Sequence, residues 1–378
     1  MKFTFVHTAD WQIGKVFGNL PAEKATLLRE ARLSVIGRIA ALARSCGAEH
    51  VLVAGDVYDA RDISDRPLVQ SLDRMRREQD ITWHLLPGNH DAAHPGGIWE
   101  RVVRVGVPAN VSLHLEPGPV TIAPDVVLLP APLKARSVIG DPTAWMDTAE
   151  TPSTAYRIGL AHGSIQGFGS EDGEAAVPLA PDRAARARLN YLALGDWHGA
   201  IRISDRVWYS GTPEPDRFPD NEPGFALVVQ LDGLDRPPTV ERHATGQFRW
   251  LKRSLDVTAA TSLDHFVEAL MSGATNPEHL LVSLTVAGTP SLGYWTRIEE
   301  RLDALGQQLC HLVVDSGAVT ALPETVELED FGQGDLRQVA ERLTAIAQDG
   351  ANHQSDDASL ALRKLYAMVR DLRVRETS

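Results

Sequence analysis

Cysteine is almost missing from this sequence. Cys46 and Cys310 are the only two, too few for a disulfide framework and in keeping with a reducing compartment. No apolar run reaches membrane-spanning length. The opening Met1-Lys2-Phe3-Thr4-Phe5-Val6-His7 is interrupted by polar residues too early for a secretory leader, so the expected location is cytoplasmic. Aromatic residues make up 6% of the chain, and Trp83, Trp99, Trp208 and Trp250 are too scattered for a base-stacking platform. Neither a Gly-x-Ser-x-Gly elbow nor a Gly-x-x-x-x-Gly-Lys-Ser/Thr loop occurs, which removes a serine hydrolase and a self-contained ATPase. Basic charge is also short: 37 Lys and Arg face 50 Asp and Glu, a net −13. Such a chain does not grip nucleic acid with its whole surface, although bound cations and local arginines can still serve one site.

What is present is a globular chain of 378 residues, 43% of them hydrophobic, long enough for two domains with their own cores. Its organising stretch is Gly88-Asn89-His90-Asp91, at the end of the apolar run Ile81 to Leu86. Four other strand-like runs end in similar polar clusters. Phe3 to Thr8 leads to Asp10-Trp11-Gln12, and Val51 to Ala54 to Gly55-Asp56-Val57-Tyr58-Asp59. Arg157 to Ala161 leads to His162-Gly163-Ser164, and Tyr191 to Leu194 to Gly195-Asp196-Trp197-His198. Ligands gather at the carboxyl ends of strands in sheets with helical crossovers, so the five clusters are expected at one sheet edge. Leu28, Val35, Ile39 and Leu42 predict a helix over Ala22 to Ser45, and Leu68, Leu72 and Met75 another from about Ser64.

Asp10, Gln12, Asp56, Asn89, His90, His162, Asp196 and His198 offer carboxylate, amide and imidazole without thiolate. That set suits Mn²⁺, Mg²⁺, Fe²⁺ or Zn²⁺, and is large enough for two ions if one carboxylate bridges. Paired divalent ions are a standard device for displacement at phosphorus, so metal-assisted phosphoester hydrolysis is the expected chemistry. His7 and His84 sit within strands and read as structural, His94 as surface, and Cys310-His311 as core.

The order Asp-x-His, Gly-Asp-x-x-Asp, Gly-Asn-His-Asp, His-Gly, Gly-His-x-His is that of calcineurin-like metallophosphoesterases, which this chain resembles. Phe5-Val6-His7-Thr8-Ala9-Asp10-Trp11-Gln12-Ile13-Gly14-Lys15 looks specifically like the opening of SbcD-type DNA repair exonucleases. The resemblance implies an α/β chain: a two-sheet β sandwich flanked by helices, with a small α/β cap and C-terminal helices. The corresponding domains are 1–245 catalytic, 246–330 cap and 331–378 helical. It also implies one metal on Asp10, Gln12, Asp56 and His198, and a second on bridging Asp56, Asn89, His162 and Asp196. His90 would protonate the leaving oxygen, oriented by a hydrogen bond to Asp59, and Arg217 and Phe218 match where the family approaches substrate.

Gln12 and Asp196 depart from the pattern, since each replaces a histidine. Both changes trade nitrogen for oxygen, which predicts Mn²⁺ or Mg²⁺ over Zn²⁺; a partly decayed site is the competing reading. The implied partners are DNA and an SbcC-type coiled-coil ATPase, docked on apolar faces of the C-terminal helices, with no membrane. A homodimer is a family expectation alone. Two other functions compete: a small-molecule phosphodiesterase, and a catalytically weak scaffold that recruits the ATPase.

Overall fold

The computed structural model describes residues 2–59, 63–167, 176–218, 221–257, 262–273, 275–349 and 351–376. Residues 219 and 220, within the proline-rich stretch 212–224, lie outside that description, as do the chain ends of the first and last expected domains. The chain forms two compact units, Met1–Phe248 and Arg249–Ser378.

The first unit is built on two mixed six-stranded sheets. In one, Lys2–Thr8, His50–Val53, Thr82–Leu85 and Val111–Leu113 run parallel in that order. Phe225–Asp232 and then Thr239–Ala244 extend the Lys2–Thr8 side antiparallel. In the other, Val126–Ala131, Tyr156–His162, Tyr191–Gly195 and Val207–Tyr209 are parallel. Val120–Ala123 and Ile201–Ser204 pair antiparallel at its two edges.

Strand alternation sorts the side chains into layers. Phe5, Leu52, Ala54 and Val229 of the first sheet pack with Leu128, Ile158, Leu160 and Ala193 of the second, forming a core between the sheets. Their neighbours Val6, Val51, Val53 and Leu85 point the other way, into a second core. Helices Ala22–Ser45, Asp65–Arg77 and Ile98–Val105 supply its other half, through residues such as Ile36, Ile39, Leu68, Leu72, Trp99 and Val102. Outside the second sheet, Val127, Leu129, Leu192 and Leu194 pack on Met146, Ala184 and Leu189. Both sheets are therefore buried on two faces, which is why their central strands read as continuous apolar runs.

The expected two-sheet sandwich flanked by helices is what forms, with one revision. The polar clusters do not end strands of a single sheet. Asp10, Asp56, Asn89 and His90 follow strands of the first sheet, whereas His162 and Asp196 end or follow strands of the second.

The second unit has a parallel sheet of Arg249–Asp256, Leu280–Gly288 and His311–Val319, connected through helices Ser262–Ser272 and Leu292–Gly306. Ser291 accepts a hydrogen bond from the Tyr294 amide and so caps the second of these helices. Helices Asp335–Gln348 and Ser355–Glu376 share this unit's core: Ala340, Leu362 and Tyr366 pack with Val282, Leu284, Trp295 and Ile298. Among the described residues, no helix is long and apolar enough to cross a membrane.

Candidate metal centre

Three loops are stitched together before any ligand is considered. The Asp10 amide donates to the Gly55 carbonyl at 3.0 Å, and the Gln12 amide to the Asp56 carbonyl at 2.9 Å. Asp91, fully buried, accepts from the Gly88 amide at 2.6 Å and the Tyr58 amide at 3.1 Å, tying the Asn-His turn to the Asp56 loop. Asp91 thus holds the turn and does not face the cleft. Two glycines permit the close approach. A Cβ on Gly88 would lie 2.1 Å from Asp56 Oδ1, and one on Gly55, at φ +87°, would lie 2.3 Å from His162 Nδ1.

The backbone at the site is strained. Among the described residues, six that are not glycine have positive φ, and four of these are Asp10, Gln12, Asp56 and Asp196. Such conformations cost about 1–3 kcal/mol each and persist where surrounding contacts impose them. Their concentration here marks the place where the fold has been bent to aim side chains.

Asp10, Asp56 and His162, all buried, bring ligand atoms within 4.8 Å of one another. His162 Nδ1–H donates to the Ala54 carbonyl at 2.9 Å, which directs Nε2 toward the carboxylates. Nε2 lies 3.5 Å from Asp56 Oδ1 and 3.8 Å from Asp196 Oδ1, and has no hydrogen-bond partner. Burial disfavours charge on this ring, yet Asp56, Asp10 and Asp196 outweigh it and lift the pKa to about 9, so a cation bound at Nε2 would displace a proton and leave that nitrogen as an acceptor. Burial likewise holds Asp10 above the usual carboxylate range. Asn89 donates through Nδ2 to Asp196 Oδ1 at 3.3 Å, and its buried Oδ1 is also without a partner. Two orphaned acceptors beside carboxylates are the condition a divalent cation relieves.

Asp196 is half-buried, and its amide lies 3.2 Å from both Asp10 carboxylate oxygens. Its Oδ2 accepts from Ser164 Oγ at 2.5 Å. The fit for a divalent ion is therefore good among Asp10, Asp56, Asn89, His162 and Asp196.

Gln12 and His198 meet on the opposite side, with Gln12 Nε2 3.3 Å from His198 Nε2. Lys15 Nζ donates to Gln12 Oε1 at 3.1 Å and to Asp216 Oδ2 at 2.5 Å. Buried Asp216 also faces Arg32 at 3.7 Å, Arg217 at 3.2 Å and His198 Nδ1 at 3.5 Å. Burial raises the Asp216 carboxyl, but the His198 hydrogen bond and the charges of Arg32 and Lys15 win, holding it well below the usual range. Arg217 Nη2 also lies 3.2 Å from His198 Nδ1, so Gln12 and His198 are engaged with neighbouring side chains, unlike His162 Nε2 and Asn89 Oδ1.

His90 is half-buried, with its amide 2.9 Å from Asp56 Oδ1. Its Nδ1 donates to Asp59 at 2.9 Å, but through the main-chain carbonyl, so the residue expected to orient His90 does so with its backbone. A cleft of about 420 Å³ opens over Gln12, Asp56, His90, Asp196 and His198, and Arg217 and Phe218 line it too. The remaining histidines lie elsewhere. His7 is buried between Tyr191 Oη at 2.9 Å and the Leu194 carbonyl at 3.2 Å. His84 stands between His50 and His114 at 3.0 and 3.1 Å. His94, expected at the surface, is half-buried against the Pro95 carbonyl, and Cys310 is buried.

Lys15, Arg32, Ser164 and Asp216 were not legible as site residues. The only signal for Asp216 is a charged pair, Asp216-Arg217, inside a proline-rich loop.

Residues 3–182 match the family model described as calcineurin-like phosphoesterase. No curated protein matches the chain. Among solved structures it is similar to the crystal structure of TT1561 from Thermus thermophilus, at 12% identity, covering 65% of this chain and 100% of that chain, with a TM-score of 0.40.

Proposed function

We propose that this chain, whose residues 3–182 match the calcineurin-like phosphoesterase family, is a metal-dependent phosphodiesterase that cuts DNA. The observation that carries the metal reading is the pair of buried, unpartnered acceptors, His162 Nε2 and Asn89 Oδ1, beside Asp10, Asp56 and Asp196. A divalent ion bound there supplies positive charge where negative charge develops on the phosphoester oxygens. Oxygen-rich ligands favour Mn²⁺, with Mg²⁺ next. Two ions are the expectation taken from the family; the residues here suit the His162 side better than the Gln12 side.

The protein's own groups do the rest. Asp56 fixes the His90 backbone, and the Asp59 carbonyl fixes the His90 ring with its Nδ1 proton committed. Nε2 of that ring is then the atom free to hand a proton to a leaving oxygen in the cleft. Arg217, whose guanidinium is largely exposed at the cleft, offers a planar pair of donors to a phosphate.

DNA as substrate rests on the resemblance of the Phe5–Lys15 opening to SbcD-type repair exonucleases. An SbcC-type ATPase as partner is supported by the apolar residues left exposed on the last two helices: Leu336, Val339, Leu360, Met368 and Leu372. The test compares Mn²⁺-dependent cleavage of linear DNA with hydrolysis of a small chromogenic phosphodiester, using His90→Ala as control. Efficient DNA cleavage lost in the control is expected. Turnover of the small diester alone would replace the nuclease reading with a small-molecule one, and turnover of neither would leave a scaffold.

A further inference from the structure

Which side of the centre holds an ion follows from where hydrogen bonds are incomplete. On the His162 side, His162 Nε2 and Asn89 Oδ1 are buried without partners, and His162 Nε2 faces the Asp56 and Asp196 carboxylates. On the Gln12 side, Gln12, His198 and Asp216 each face another side chain. The Lys15 ammonium fixes the orientation of the Gln12 amide, because an ammonium can only donate and therefore requires Oε1. That turns the Gln12 NH₂ toward His198 Nε2 at 3.3 Å. His198 Nδ1 faces the Arg217 guanidinium at 3.2 Å and Asp216 Oδ1 at 3.5 Å. Asp216 in turn is held by Lys15, Arg32 and Arg217.

We infer that this protein holds one divalent ion rather than two, and that the linked side chains of Lys15, Gln12, His198 and Asp216 occupy the position where the family pattern has the other. The inference rests on the metallophosphoesterase reading of the site. A second dication would stand beside the Lys15 ammonium, which is bonded to one of that ion's would-be ligands. To bind there, the ion would have to break the Lys15–Gln12 bond and part His198 Nε2 from the Gln12 amide, gaining a neutral amide in place of an imidazole.

The test counts ions. Protein freed of metal is dialysed against Mn²⁺, its content is measured by mass spectrometry, and its electron paramagnetic resonance spectrum is recorded. About one Mn²⁺ per chain is expected, with the hyperfine pattern of an isolated ion. Gln12→His restores an imidazole, and Lys15→Met removes the ammonium that orients the amide. Each is expected to raise the count to about two and to give the spin-coupled spectrum of a pair. Circular dichroism checks that both variants fold. No bound ion, or two ions in the unmodified protein, would overturn the inference, and so would a count of one in both folded variants. Counting does not depend on turnover. A chain with one ion that leaves DNA intact would keep this inference and retire the nuclease reading, whereas a DNA-cutting chain with two ions would do the reverse.

Discussion

At the His162 side of the centre two buried polar atoms go unanswered, whereas the Gln12 side is linked through Lys15 and Asp216. Both sides are assembled from strand ends of the same sandwich, and both include a residue that departs from the family pattern. Asp196 places a further carboxylate beside His162, whereas Gln12 brings an amide that a neighbouring ammonium can claim. On the proposed reading, one kind of exchange, nitrogen for oxygen, reinforces a cation site on one side and fills it with protein on the other, depending on which charged group stands next to it.

The comparison is sharpest in the ligands. His162→Ala removes the orphaned imidazole and is expected to lower kcat/KM on phosphodiester substrate by at least about a thousandfold, whereas Gln12→Ala should cost about tenfold. Equal losses in steady-state kinetics would erase the distinction between the two sides. His90→Ala is expected to cost about a hundredfold in kcat with Mn²⁺ content unchanged, because His90 is the proposed proton donor and not a proposed ligand. A parallel loss of bound Mn²⁺ would move His90 into the ligand set.

Buried histidines away from the centre provide a contrast with His162. His114 is lowered to about 4 by burial and stays neutral in the fold, stacked on His84. The unfolded chain takes up that proton near 6.5, so it binds more protons than the native state between about pH 6.5 and 4. Stability is therefore complete above 6.5 and lost as the pH falls through this window, by about 2 kcal/mol between 6.5 and 5 for this one group. His114→Asn should flatten that acid slope in urea unfolding at the two pH values; an unchanged slope would mean His114 is not held neutral. The smallest effect belongs to Asp59→Ala, expected to change kcat by less than about threefold, because the His90 contact is to the Asp59 carbonyl. A loss equal to that of His90→Ala would show that the carboxylate is the group used.

Much of this molecule could be read in advance, and the reasons are physical. The helix Ala22–Ser45 was predicted at both ends because its buried residues keep the helical period over six turns or more. The strands leading to Asp10, Asp56, Asn89, His162 and Asp196 were legible because doubly buried parallel strands are continuous apolar runs with abrupt polar ends. Edge strands such as Ile201–Ser204 and Thr239–Ala244 alternate with exposed polar residues and gave no such signal. The apolar run in Phe225–Asp232 carried a signal that the reading passed over. The Lys15–Asp216 pair could not be seen, since its members are 201 positions apart and each is an ordinary charged residue until the fold joins them. Nor could the positive φ of Asp10, Gln12, Asp56 and Asp196, which arises from the loops being stitched together.

Crystals soaked in Mn²⁺ and measured at the manganese absorption edge would locate the cation independently of activity. The anomalous peak is expected among Asp10, Asp56, Asn89, His162 and Asp196, within bonding distance of His162 Nε2. Soaked crystals with no peak there, or with the stronger peak between Gln12 and His198, would contradict this reading of the site.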